Sequence, residues 1–457
     1  MNHKKTNYPT PSSPQLTMFE REVPYPTPEP VAKETPAPKP VTAKPDTNAN
    51  REGYKPTKLG WIPEEWEVKG LGKIAKVTSG GTPSREKEAY WNGSIPWVTT
   101  TLIDFNEISE AEECITEEGL KNSSAKLFYP STILMALYGQ GKTRGKVGIL
   151  KIKAATNQAC AAIVFPENKI ESIFVFFYLV NNYTNIRNLS NTGNQENLNG
   201  GLVKLINIPL PPLPEQRAIA DCLSTWDRAI QTLTQLIAQR ELRKKWLMQQ
   251  LLTGKKRLPG FGGEWSTWSF KEILKEVKRP VSWNDEQLYD LISVRRRSGG
   301  LFHRESLYGH QIKTKNLRTA KSGDFLISKM QIVHGASGLT TNKFDGMKIS
   351  GSYIAVRARN EDILNTEFLN WYSRLPHFYH QCYISSYGVH IEKMTFDFKL
   401  FLKEEIKLPS IDEQTVIAQV LHRADHEITL LSQKLTHLQD QKKGLMQQLL
   451  TGKKRLK

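Results

Sequence analysis

The sequence predicts an α+β protein: two mixed α/β blocks at opposite ends of a long antiparallel two-helix coiled coil, pseudo-twofold and nearly circular. Three observations predict it. A stretch reading KKWLMQQLLTGKKRL from Lys244 returns as KKGLMQQLLTGKKRL from Lys442, with Trp246 replaced by Gly444. The match extends upstream without a gap: Glu215-Gln216 aligns with Glu413-Gln414 and Asp227 with Asp425, each pair 198 positions apart (413−215, 425−227). A fixed offset held that long marks a duplicated structural unit. Finally, both copies carry apolar or seam residues spaced alternately by four and three, the signature of a heptad seam.

Residues 1–57 form a Pro-rich tail. Pro24, Pro26, Pro28, Pro30, Pro36, Pro38 and Pro40 recur among Thr, Lys and Glu. Such a segment has no apolar period and is expected to be disordered or polyproline II. Its apolar island, Leu16-Thr17-Met18-Phe19 with Tyr25, is a candidate docking motif.

The first block spans 58–212 and opens Gly60-Trp61-Ile62-Pro63-Glu64-Glu65-Trp66. Strand-like runs follow at Ile95–Val98, Thr132–Ala136 and Ala161–Phe165, with one helical stretch near Ile173–Arg187. The second block, 258–409, opens Gly260-Phe261-Gly262-Gly263-Glu264-Trp265, echoing the first, but its interior is much less alike.

The spacer helices occupy 213–257 and 410–457. The first seam is Ile219, Leu223, Trp226, Ile230, Leu233, Ile237, Arg240, Lys244, Leu247 and Leu251. The second is Ile417, Leu421, Ala424, Ile428, Leu431, Leu435, Leu438, Lys442, Leu445 and Leu449. Pro214 sits where a missing N–H is harmless, Gly254 follows the last apolar turn, and Ser410 with Glu413 fits a capping box. Neither seam is fully apolar, so the economical solution packs the helices on each other. The second block joins the end of the first helix and the start of the second. Parallel helices would make that block span roughly 55 Å, whereas antiparallel ones make its two attachments neighbours. By the same symmetry Leu59–Trp66 should approach the end of the second helix.

The chain has 457 residues and a formal net charge of +17, which suggests a polyanionic partner, nucleic acid before membrane. Four scattered cysteines, Cys114, Cys160, Cys222 and Cys382, contain no CxxC, which fits a reducing cytosol. No apolar run reaches about 18 residues and no signal-peptide core opens the chain, so a cytoplasmic protein without membrane contact is expected.

Catalytic signatures are missing. There is no N/D-P-P-Y/F tetrapeptide, no GxxxxGK[ST] loop and no HExxH. His377, His380 and Cys382 lack a fourth ligand, so no metal is expected. A PD…ExK pattern can only be forced from Asp46 in the tail and Glu67-Val68-Lys69.

What is present suits DNA. Gln140-Gly141-Lys142-Thr143-Arg144-Gly145-Lys146 is a basic loop between apolar runs. Gly lets backbone approach phosphates and Lys142, Arg144 and Lys146 neutralise them, while Gln140 or Arg144 can reach base edges. The amides Asn157, Gln158, Asn194 and Gln195 can read adenine. The second block's counterparts are Arg295, Arg296 and Arg297, then Lys329 and Gln331, Ser352 and Tyr353, and Tyr387 and His390. Any single polar loop is ordinarily a solvated turn. The case rests on several such loops in each block of a strongly basic chain.

Together these features resemble the specificity subunits of type I restriction-modification systems. The carrying motifs, over about 58–457, are Gly60–Trp66, Thr78-Ser79-Gly80-Gly81-Thr82-Pro83-Ser84, Tyr90-Trp91-Asn92-Gly93-Ser94-Ile95-Pro96-Trp97, Ile208–Gln216 and both LMQQLLTGKKRL ends. The Pro-rich tail departs from the family pattern. The resemblance implies two target-recognition domains (58–212 and 258–409), each reading one half of an interrupted double-stranded DNA site, with the helices as spacer. It implies no catalysis and no cofactor in this chain. S-adenosylmethionine, ATP and magnesium are expected on partners: two methyltransferase subunits docked on the helices and motor-nuclease subunits. Trp226, Trp246, Leu247, Leu251, Leu445 and Leu449 are the helix positions expected to dock partners. A subunit of a stand-alone methyltransferase or type II-like system, an autonomous DNA-binding regulator and a coiled-coil scaffold remain the alternatives.

Overall fold

The structure, a computed structural model, describes residues 52–139, 142–189 and 197–456. The chain divides into two compact units. Among the described residues the first holds 52–236 with 431–456, and the second holds 237–430. Each unit therefore contains one block, the start of one long helix and the end of the other.

In the first unit the strands are, in chain order, β1 (Tyr54–Thr57), β2 (Gly60–Pro63), β3 (Glu67–Gly70), β4 (Lys76–Ser79), β5 (Trp91–Val98), β6 (Glu107–Ile108), β7 (Glu113–Ile115), β8 (Leu127–Phe128), β9 (Ile133–Ala136), β10 (Val147–Leu150), β11 (Ala154–Thr156), β12 (Cys160–Val164) and β13 (Asn207–Leu210). One sheet runs β4-β12-β9-β10-β6, a second β7-β5-β11-β8, and β3 pairs with β13. The central strands alternate between two cores, as a period of two requires. Ile133 and Met135 of β9 face the main cluster, whereas Leu134 and Ala136 face the layer against the second sheet. β12 does the same with Ala161 and Ile163 against Cys160 and Ala162. A sheet covered on both faces reads as a continuous apolar run, which is how the sequence presents it.

The main cluster is closed by the helix Ser172–Asn181, apolar almost all round, and by Ile219, Ala220 and Leu223 of the first long helix with Met446, Leu449 and Leu450 of the second. The single helix expected near 173–187 is two, because Asn182 leaves helical geometry before Tyr183–Arg187. The tail boundary expected at 58 also moves. β1 pairs antiparallel with β2, and Thr57 Oγ1 ties the two-residue turn by donating to the Gly60 carbonyl at 2.8 Å.

In the second unit the strands are β14 (Ser266–Ser269), β15 (Leu274–Glu276), β16 (Leu288–Val294), β17 (Leu301–Tyr308), β18 (Leu317–Thr319), β19 (Phe325–Ser328), β20 (Ser337–Leu339), β21 (Lys348–Ser350), β22 (Tyr353–Ala358), β23 (Ser386–Tyr387), β24 (Thr395–Phe396) and β25 (Glu405–Leu408). The sheets run β15-β22-β19-β20 and β17-β16-β21-β18, with β14 paired to β25 and β23 to β24. The first two orders match β4-β12-β9-β10 and β7-β5-β11-β8 of the first unit. Two interiors with little sequence in common thus share one strand order. A fully buried Asp324 anchors this unit: Arg279 Nη1 and Arg357 Nε each donate to it at 2.6 Å and the Lys321 N–H at 2.8 Å.

The long helices are Leu213–Leu251 and Ile411–Leu449, each of 39 residues, or roughly 58 Å. Every seam position named above is buried or half-buried. Gly254 (φ 70°) and Gly452 (φ 72°) end them in left-handed geometry. At the second helix's start Ser410 Oγ accepts from the Glu413 N–H at 3.4 Å, but the Glu413 carboxylate turns to Arg257, so only half of the expected capping box carries a cap.

That turn is general. In the second unit Arg257 Nε and Nη2 donate to buried Glu413, and Lys244 Nζ lies 2.6 Å from Asp425. In the first unit Arg455 Nε and Nη2 donate to Glu215, and Lys442 pairs with Asp227. The order of these contacts makes the two helix segments within each unit antiparallel. Trp66 Nε1 also donates to Glu215 at 3.1 Å, Arg455 reaches Glu65, and Tyr54 donates its hydroxyl proton to the Gly452 carbonyl at 3.0 Å. Removing one partner strands a buried charge. Arg455→Ala should destabilise the first unit by about 3–5 kcal/mol and raise hydrogen exchange in 60–70 and 213–223, leaving 266–276 protected. Unchanged exchange in 213–223 would remove this pair from the interactions that hold the unit.

Candidate nucleic-acid interface

At one end of the central sheet three connections meet, and they meet in the same way in both units. The Leu137 N–H, just past β9, donates to the Ala159 carbonyl at 2.9 Å, and the Leu198 N–H donates to the Leu137 carbonyl at 3.0 Å. In the second unit the Lys329 N–H, just past β19, donates to the Ser352 carbonyl, and the Phe396 N–H to the Lys329 carbonyl, both at 2.9 Å. The strand ends pair once more before the loops diverge, which fixes the loop bases and leaves their crests to sequence.

In the first unit Gln140, Asn194 and Gln195 lie outside the described residues. Lys142 is exposed, and its carbonyl accepts from Tyr183 Oη at 2.6 Å. Lys146 pairs with Asp104 and lies 5.7 Å from the Phe105 ring centroid. Arg144 does not reach outward as expected: it is 6% exposed and its Nη2 donates to the Arg187 carbonyl at 3.4 Å. Asn157 spends its Oδ1 on the Ala159 N–H at 3.1 Å, making a turn, while Gln158 is exposed beside Thr82, whose hydroxyl donates to it at 2.5 Å. Sequence reasoning passed over Thr82 as a neighbour of Gln158 although its Gly-rich stretch was conspicuous. It also missed Arg85, which stacks 3.7 Å over Trp91 and pairs with Glu113.

In the second unit four separate stretches form one patch. Arg296 Nε donates to Gln331 Oε1 at 2.6 Å and its Nη2 to Glu392 at 2.9 Å, so one guanidinium ties three loops. Lys329 Nζ caps the Gly351 carbonyl at 3.2 Å next to exposed Ser352. Arg295 lies 4.4 Å over Phe302, and Arg297, at φ 57°, is pinned through its N–H to the His334 carbonyl at 2.6 Å. Burial holds the His334 imidazole below its ordinary range, against the pull of Glu392. Tyr387 and His390 stand exposed. Tyr353 does not: its hydroxyl shares a 2.7 Å hydrogen bond with Ser293 and accepts from the Val294 N–H, which locks β22 to β16. Among the described residues no group of three or more His, Cys, Asp or Glu could hold a metal ion. No helix there is long and apolar enough to cross a membrane.

The family model for the type I restriction modification DNA specificity domain matches twice, over 63–241 and 265–440. The chain belongs to this family. It is similar to the type I restriction enzyme MjaIX specificity subunit of Methanocaldococcus jannaschii, at 28% identity over 58% of this chain and 60% of that one. It is also similar to the EcoR124I/EcoR124II specificity subunit of Escherichia coli, at 30% over 42% of this chain and 48% of that one. The chain thus spans about half to three fifths of the length of these two relatives. The crystal structure of the type I restriction-modification S subunit from M. genitalium shares the fold, with a TM-score of 0.54, 13% identity, and coverage of 84% of this chain and 96% of that one.

In this specificity-domain chain the helix residues expected to dock partners separate by burial. Leu251 and Leu449 are core, at 4% and 0% exposed, and Leu247 and Leu445 pack half-buried against the same cores. Heptad periodicity alone cannot distinguish a seam that faces its own domain from one that faces a partner. Trp246 remains exposed, with Lys256 Nζ 4.7 Å from its ring centroid, and Trp226 is half-buried. In the second unit a groove of about 210 Å³ opens over Ala424, walled by Arg240, Lys244, Arg423 and Glu427. The basic ends are also divided: Arg257 and Arg455 are consumed by Glu413 and Glu215, while Lys255, Lys256, Lys453 and Lys454 are exposed.

These placements separate two arginines. Arg144→Ala should lower stability by about 1–3 kcal/mol, because it empties a buried site and strips the Arg187 carbonyl. Arg296→Ala should lower the free energy of unfolding by less than about 0.5 kcal/mol yet raise hydrogen exchange in both 330–335 and 388–393. Equal stability losses for the two would contradict the division.

Proposed function

We propose that this chain is the sequence-reading subunit of a type I restriction-modification complex, each block reading one half of an interrupted double-stranded DNA site. The observation that carries the reading is the paired strand order of the two units, in which the same three connections bear different side chains. A shared frame with unlike crests suits two unlike half-sites. Gln158, Lys142 and Lys146 in the first block, with Gln140, Asn194 and Gln195 from the sequence, are the proposed contacts there. Arg295, Arg296, Arg297, Lys329, Gln331, Ser352, Tyr387 and His390 are those in the second. The excess of exposed Lys and Arg supplies phosphate neutralisation, and amides and guanidinia supply base contacts.

Chemistry lies with partners in this proposal. Two methyltransferase subunits holding S-adenosylmethionine methylate adenine, and motor-nuclease subunits using ATP and magnesium cleave. The exposed Trp246 and the groove over Ala424 are the proposed docking features, replacing the buried leucines. The two long helices form one antiparallel, pseudo-twofold coiled coil that spaces the half-sites. The heptad seams and the short connections on either side of the second block support that arrangement.

Exchanging residues 58–212 for those of a relative, with the methyltransferase co-expressed, should change one half of the methylated motif and leave the other. Methylome sequencing reads this directly, and changes in both halves would defeat modular reading. Inserting one heptad in register into both helices should lengthen the gap between the halves without altering either. An unchanged gap would dismiss the helices as a ruler.

A further inference from the structure

The loop between β23 and β24 carries side chains that its own fold does not use. Val389 is 96% exposed, Tyr387 61% and Ile391 42%, and Ile384 and Met330 beside them are also exposed. The loop is nonetheless built firmly. Gly388 turns at φ 148°, where a Cβ would meet Met394 Cα at 3.0 Å. Met394 and Phe396 are buried, the Phe396 N–H is bonded to the Lys329 carbonyl, and the Asp397 N–H to the Ser385 carbonyl at 2.8 Å. Arg296 holds the far side through Glu392. An apolar crest on a fixed base, rather than a frayed loop, is what a contact surface requires.

Its surroundings identify the occupant. Lys393 is exposed on the crest itself, and Arg295 and Arg297 are exposed on either side of Arg296, which pairs with Glu392. A cationic rim fits a polyanion. A duplex offers one apolar group on its major-groove edges, the thymine 5-methyl. We propose that Val389 is a specificity-determining residue that packs against a thymine methyl in the half-site read by the second block, flanked by Tyr387 and Ile391. This rests on the DNA-reading function above and names the base chemistry at one position.

The test uses the full chain in complex with its methyltransferase subunits, on duplexes carrying the motif found by methylome sequencing. Each thymine of the second block's half-site is replaced in turn by deoxyuridine, which keeps every hydrogen-bonding group and removes only the methyl. At one position the wild-type Kd should rise about four- to tenfold, the worth of a buried methyl group. The Val389→Ala complex should bind the thymine and uracil duplexes alike there, and deoxyuridine in the other half-site should act independently of residue 389. The inference is overturned if the half-site has no thymine, if no uracil substitution matters, or if the uracil effect persists in Val389→Ala. Reduced DNA bending by Val389→Ala without a uracil effect would instead make Val389 a wedge between base steps. A wild-type complex that binds no duplex specifically would fail the DNA-reading function itself.

Discussion

Two ion pairs tie this chain to its own duplication. Arg455, from the end of the second long helix, binds Glu215 at the start of the first, and Arg257, from the end of the first, binds Glu413 at the start of the second. Each repeat thus completes its charge with the other repeat, never with itself. Both carboxylates are withdrawn from water, at 6% and 0% exposed. Burial of a carboxylate is costly unless it is paired and hydrogen-bonded, so the pair enforces one register between a helix start and a helix end. Hydrogen bonding to the carboxylate holds both guanidinia above their ordinary range. The neighbouring glutamines act in parallel. Gln216 bonds the Pro211 carbonyl and the Glu171 N–H, and Gln414 bonds the Pro409 and Ile363 carbonyls and the Asn365 N–H. The Glu-Gln dipeptide therefore does two jobs: the acid fixes helix to helix, and the amide fixes helix to block.

With the helices fixed in this way, each central sheet is packed on both faces and has little freedom to vary. Its strand ends do vary. The additional bonds at Leu137 and Lys329 carry the shared frame one step past the strands, and side chains then differ entirely. Burial divides the polar residues accordingly. Arg144, Tyr353 and Asp324 belong to the frame because each is hydrogen-bonded inside it. Arg295, Ser352 and Tyr387 belong to the crests because water is their alternative partner.

Much of this was legible in the sequence, and the limits have physical causes. The seam, the glycine stops and the 198 offset are local or periodic signals, and the helices begin within one residue of Pro214 and Ser410 and end three residues before Gly254 and Gly452. The apolar strand runs were visible because both faces are covered. The exchange of Arg455 and Glu215 was not, because it joins residues 240 positions apart and looks in sequence like a basic tag after a helix. Arg144 and Tyr353 were misjudged for a related reason. A polar side chain in a Gly- or Ser-rich loop reads as solvated, and only packing reveals that Arg187 or Ser293 waits for it. Leu251 and Leu449 show the converse, since period gives a face but not what covers it.

The duplication is least faithful on the surface of the helices, and that asymmetry is informative. Trp246 stands where the other repeat has Gly444, and Ala424 where it has Trp226. Both substitutions exchange the largest side chain for one of the smallest, at positions the ion pairs do not use. The charged pairs and the buried leucines, which packing constrains, are alike in the two units. The divergence is instead confined to exposed and half-buried positions, where packing makes no demand. In the second unit Ala424 leaves a groove walled by Arg240, Lys244, Arg423 and Glu427, with Trp246 exposed on the same long helix as Arg240 and Lys244. The helix pairs of the two units thus present different chemistry on the same frame, as the two sets of loops do.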